Sequence, residues 1–118
     1  MFRIELKKEV SERIIKELKA EYKELTRKLN EVNQAIEESF DDDCMSFFLN
    51  QSDSIKRKLI NIYDCMISLE NNDFYKSDIV FLGEFLENKL RFMKKTIENN
   101  DTIIEFQTIV NIKDIIRI

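Results

Sequence analysis

Histidine, proline and tryptophan are absent from this 118-residue chain, and glycine occurs once, at Gly83. Without histidine the commonest general base and metal ligand is missing. One glycine cannot build a phosphate-binding loop, a nucleophile elbow or a dinucleotide fingerprint. Cysteine occurs twice, at Cys44 and Cys65, inside one expected helix. At a rise of ~1.5 Å per residue their Cα atoms lie ~31 Å apart in that helix. A disulfide spans less than about 7 Å, so the two cannot bridge there, and no zinc site of His and Cys ligands can form within one chain. Reduced thiols and a cytoplasmic setting are expected. The longest apolar run, Ile79 to Leu82, is far short of the roughly 20 residues that span a bilayer, and no signal segment is legible in MFRIELKK. The expectation is a protein that is not an enzyme and has no cofactor, no metal and no membrane partner.

Charge is plentiful but mixed: 36% of residues are charged and the net value is −4. That is the composition of solvated helix faces, with no general pull toward nucleic acid or anionic membrane. The densest acidic cluster, Glu37, Glu38, Asp41, Asp42 and Asp43, lacks the alternating ligands and turn glycine of a calcium loop. It reads as a helix junction, with aspartates capping the next helix and facing its positive end.

The clearest positive signal lies in residues 11–39. Ile15, Leu18, Tyr22, Leu25, Leu29, Val32 and Ile36 step by three and four residues in alternation, which is a coiled-coil seam and needs a partner. Ser11 is a candidate N-cap. Residues 42–70 repeat the pattern with Met45, Phe48, Ile55, Leu59, Ile62, Met66 and Leu69, interrupted by Ser52. A second group, Leu49, Ile60, Tyr63 and Ile67, widens the apolar face to about half the circumference. An antiparallel hairpin of these two helices is expected, with the wider second helix also touching a third.

The third helix is expected over 77–98, with Ser77 as N-cap. Ile79, Leu82, Leu86, Leu90, Met93 and Ile97 form its stripe. Gly83 sits near the stripe's edge, where a glycine costs about 1 kcal/mol against alanine unless a neighbour comes close. The tetrapeptide ENND at 70–73 and again at 98–101 marks the helix ends, since Asn tolerates the left-handed conformation. Residues 2–7 alternate apolar and polar, as a short strand or as the first turns of the long helix. Residues 102–118 are rich in β-branched side chains and put Ile104, Phe106, Val110, Ile112, Ile116 and Ile118 on one face at period two. A C-terminal strand or hairpin is expected there, against the rival capping box Thr102-x-x-Glu105. The expected fold is therefore mainly α: one 1–118 domain with a long antiparallel helical hairpin, a third helix, and a small β-sheet from the N- and C-terminal segments.

Phe81, Phe85 and Phe92 form a second apolar stripe on the third helix and are the candidate partner-binding residues. The function expected is contact with another protein, as an adaptor, assembly subunit or small inhibitor of the immunity type, in a homodimer. The alternative is a nucleic-acid-associated regulator using basic helix faces: Lys19, Lys23 and Arg27 on the first helix, and Arg91, Lys94 and Lys95 on the third.

Overall fold

Heptad spacing with no helix breaker in its path produces two long helices. In the computed structural model, which describes residues 1–117 and side chains through 116, they are α1 (Lys8–Glu38) and α2 (Asp42–Asn71). β1 (Phe2–Arg3) precedes them, and β2 (Asp73–Phe74), α3 (Lys76–Leu90) and α4 (Asn100–Arg117) follow. α1 packs closely on α2 and α3 on α4, so the mainly α fold with a helical hairpin and a small sheet is present. The hairpin runs antiparallel. Lys28, Glu31 and Val32 share a groove with Gln51, Ser54 and Ile55, while Ser11 and Ile15 share another with Leu69 and Glu70.

The chain divides into two compact units, residues 16–63 and residues 1–15 with 64 onward. Within 16–63, Leu18, Leu25, Ser52 and Ile62 are buried, and Leu29, Val32, Ile36, Met45, Phe48, Ile55 and Leu59 are half-buried around them. These are the seam positions read from the sequence. Ser52 interrupts the apolar pattern but not the seam, because its small side chain is enclosed there. Tyr22 lies at the edge and is exposed.

The other unit has the larger core: Val10 and Ile14 from α1, Cys65 and Leu69 from α2, Phe74 from β2, Ile79, Leu82 and Leu86 from α3, and Phe106, Ile109 and Val110 from α4. Its polar groups set the entry to α3. The Asp78 carboxylate is buried and accepts from the Ser68 hydroxyl at 2.8 Å and from the Tyr75 backbone N–H at 3.2 Å. It thus satisfies an orphan donor at the helix start while tying α3 to α2. Cys65 Sγ donates to the Asp78 carbonyl at 3.6 Å.

Several sequence expectations are corrected here. α1 starts at Lys8, and the Ser11 N–H donates to the Lys7 carbonyl at 3.0 Å, so Ser11 is inside the first turn and is not the cap. The N-terminal strand shrinks from 2–7 to Phe2–Arg3, and its partner is β2, with Phe2 opposite Phe74, not the C-terminal segment. α3 begins at Lys76 behind Tyr75, not behind Ser77. It ends at Leu90, not residue 98: the Phe92 and Met93 N–H groups turn back to Lys89 and Leu90, the tighter bonding that closes a helix. Ile97, assigned to the stripe, is 98% exposed. The first ENND behaves as read, with Asn72 left-handed at φ 57° just past α2. The second does not end a helix; Asn99 pins the 91–99 connection by accepting from Thr96 and donating to the Lys94 carbonyl, and Asn100 opens α4.

The largest correction is the C-terminal segment, which is helix and not strand or hairpin. Phe106, Ile109, Val110 and Lys113 are buried at helical steps, while Ile104 and Ile115 face solvent and blur that period in the sequence. Packing on α3 overrides the β preference of the isoleucines. Ile118, assigned to the strand's face, lies outside the described residues.

Gly83 shows why α4 comes so close. A Cβ built on it falls 2.6 Å from Lys113 Cβ and 2.8–2.9 Å from the next carbons of that side chain. Gly83→Ala therefore lowers stability in urea unfolding despite the ~1 kcal/mol it gains in helix propensity, because overpacking costs ~1–3 kcal/mol. Unfolding at higher urea than wild type would show that α4 can yield at this point.

Candidate functional site

The structure separates the three candidate phenylalanines. Phe81 and Phe85 are half-buried on α3, and the Lys89 ammonium lies 5.3 Å from the Phe85 ring centroid, within cation–π range. Phe92 falls beyond the helix end and is 87% exposed. They do not form one stripe, because the stripe needed α3 to continue past Leu90.

The basic candidates are divided as well. Lys19 and Lys23 are exposed on α1. Arg27, one turn further, is engaged by Glu24 and Glu31. Its hydrogen bond holds the Glu24 carboxyl below the usual range, and the same pairing raises the Arg27 guanidinium. Arg91, Lys94 and Lys95 lie in the 91–99 connection and not on a helix face, which corrects that placement.

The α2 residues expected to meet α3 are instead open. Leu49, Ile60, Tyr63 and Ile67 are all exposed, with Ile60 at 60% and Tyr63 at 57%. α2 reaches α3 through Cys65 and Ser68 instead. The reading of a broad apolar face was correct as a pattern; the cover assigned to it was not.

Two aromatic residues near the α1–α2 turn carried no signal in the heptad reading. Phe40, between the helices, is fully exposed at 102%, and Phe47 is exposed while its neighbour Phe48 meets it edge-on at 5.5 Å between centroids. Phe40 occupies no seam position, so periodicity was blind to it. The signal available was negative: a phenylalanine in a three-residue connection has nothing to pack against. Around it, Asp41 Oδ1 accepts the Asp43 N–H at 3.0 Å, and Asp42 and Asp43 occupy the first turn of α2, as the junction reading required.

The buried titratable groups are committed to the core. Burial pushes the Cys65 thiol up, assisted by Asp78 and Asp64, so it is not a thiolate nucleophile. Lys113 is buried on α4, where its stem lies against Gly83 and its ammonium pairs with Glu87 of α3 and, at 3.3 Å, with Asp114. The hydrogen bond to Glu87 raises the Lys113 ammonium above the ordinary lysine value. Every buried side-chain polar atom among the described residues has a partner. A groove of about 410 Å³ beside α4 has Lys95 as its one titratable lining residue, and no acid–base pair converges there. Among the described residues no group of three or more acids or cysteines is arranged to hold a metal, and no helix is long and apolar enough to cross a membrane.

No family model, curated protein or solved structure matches the chain. The geometry itself defines a helical protein that leaves apolar side chains open on α2 and at the α1–α2 turn.

Lys113 carries a pH signature. Because its folded value is raised, the pair's contribution is complete below the unfolded lysine value of 10.5 and is lost as pH rises through the folded value. Glu87→Gln replaces the charged acceptor on α3 with a neutral one, leaving Asp114 as the ammonium's charged partner, and is expected to cost about 1–3 kcal/mol at pH 7. Thermal melts of both proteins from pH 7 to 11 check this; a difference that does not narrow above pH 10.5 would overturn it.

Proposed function

We propose that the protein is a non-enzymatic protein–protein interaction module that acts by contact, as an adaptor, an assembly subunit or a small inhibitor of the immunity type. One observation carries this reading: within residues 16–63 the outward side of α2 leaves Leu49, Ile60 and Tyr63 in solvent. Taking ~100° per residue, the three lie within ~60° of one another around the helix. Apolar and aromatic side chains grouped in this way are the raw material of an interface core, and tyrosine is enriched among the residues that dominate binding energy.

The titratable groups support the reading by what already occupies them. Cys65, Lys113 and Asp78 are held in the core. Both cysteines are free, which suits a reducing cytoplasmic compartment. A homodimer is the expected assembly, because each unit leaves apolar residues uncovered: Leu49, Ile60 and Tyr63 in one, Ile104 and Ile115 in the other. The nucleic-acid alternative is weaker, since Arg27 is engaged by two acids and Arg91, Lys94 and Lys95 lie in a connection and not on the helix face that reading used.

Light scattering at micromolar concentration is expected to give the mass of two chains; one chain's mass removes the homodimer. The double substitution Ile60→Asp with Tyr63→Asp is expected to weaken association at least ~30-fold, the scale of a hot-spot loss, with helicity by circular dichroism unchanged. Loss of helicity would instead make this face part of the fold.

A further inference from the structure

We infer that the α1–α2 turn, led by Phe40 and Phe47, docks on a partner protein whose surface offers an apolar pocket ringed by lysine and arginine. This inference rests on the contact reading above and names the chemistry of the partner.

The first argument is solvation. Phe40 is exposed at 102% and Phe47 is also open, so two large rings stand in water at one end of the hairpin in residues 16–63. Burying such a ring in a partner's pocket recovers apolar area that the fold leaves unused. The 39–41 connection holds Phe40 between two helix ends, so little conformational freedom is lost when a partner takes it.

The second argument is charge. Between Leu29 and Ile55 there are seven acids and no lysine or arginine, a net −7, whereas the chain as a whole carries −4. The remainder of the chain is therefore +3, and the negative charge is concentrated around the turn. Among the described residues none of Glu37, Glu38, Asp41, Asp42 and Asp43 is in an ion pair. Such a field steers association toward positive surfaces and disfavours neutral or acidic ones.

The third argument is a conflict that folding does not require. Asp42 and Asp43 stabilise the start of α2, but Glu37 and Glu38 lie in the last turn of α1, where no basic residue is present. Carboxylates there oppose the helix dipole, at about 0.3–1 kcal/mol each. Glu38 accepts one hydrogen bond from Gln34 Nε2 at 3.2 Å, a contact worth about 0.2–0.5 kcal/mol, but neither glutamate meets a positive charge within the described residues. A cationic surface seated over the turn offsets the cost and gives both glutamates a positively charged partner.

The test places the photoreactive analogue benzoylphenylalanine at position 40 and, in a separate protein, at position 63, each in the full chain expressed in source cells. Cross-linked peptides are then sequenced. The expected result is that position 40 attaches to a net-positive surface segment of another protein. Adding Glu37→Lys and Glu38→Lys should cut that yield about ten-fold, as loss of charge complementarity does. The same pair of changes favours the α1 dipole, so a thermal melt at or above the wild-type value shows that the loss is not unfolding. Cross-links from position 63 with none from position 40 would overturn the turn as the docking site and leave the contact reading standing. Attachment from position 40 to a neutral or acidic segment, to nucleic acid or to a second copy of the chain would overturn the partner chemistry, as would indifference to charge reversal. Silence from both positions would remove the contact reading as well.

Discussion

The seam between α1 and α2 is the constraint on which the remaining structure depends. Apolar residues at steps of three and four along both helices cannot stay in water, and their burial sets the two helices side by side. With no proline and no interior glycine before Gly83, nothing in the chain interrupts either helix until Ser39 and again until Asn72. The left-handed Asn72 then turns the chain into β2, where Phe74 is wholly buried and Asp73 pairs opposite Arg3. Secondary structure at this point is a consequence of where the seam ends.

Polar side chains do the aligning in the unit that holds α3 and α4. Asp78 fixes the start of α3 by bonding at once to the helix N-terminus and to Ser68 of α2. Lys113 fixes the depth of α4 by laying its stem on Gly83 and its ammonium on Glu87. Buried groups of this kind add little net stability compared with apolar substitutes, but a wrong register leaves them unpaired at a cost of several kcal/mol. The specificity of the arrangement resides in them more than in the leucines.

Two kinds of surface remain open after the core is made. One is the outer side of α2, apolar by pattern and uncovered in fact; the other is the acidic, phenylalanine-bearing turn. Both lie in residues 16–63, where the core is thin, with Leu18, Leu25 and Ile62 as its buried apolar residues. Long helices with a narrow seam present much surface for little core, which suits a protein that acts by touching another. The contact function proposed here rests on that economy of core and on where the exposed rings lie.

Local pattern determined a good deal. The hairpin helices, their seam, the Asn72 stop, the need for close approach at Gly83 and the mainly α class follow from residue spacing, because each depends on neighbours within one or two turns. The identity of the C-terminal segment did not follow. Its exposed Ile104 and Ile115 carry the same side chain as the buried Ile109, and a buried lysine occupies a position that hydropathy assigns to solvent. Only contact with α3 decides which isoleucines are core and lets Lys113 enter, since Gly83 makes the room and Glu87 supplies the charge. The end of α3 at Leu90, the pairing of β1 with β2 and the exposure of the outer α2 face are likewise tertiary outcomes. A stripe can state that it wants cover, but which element arrives to cover it depends on residues far away in the chain.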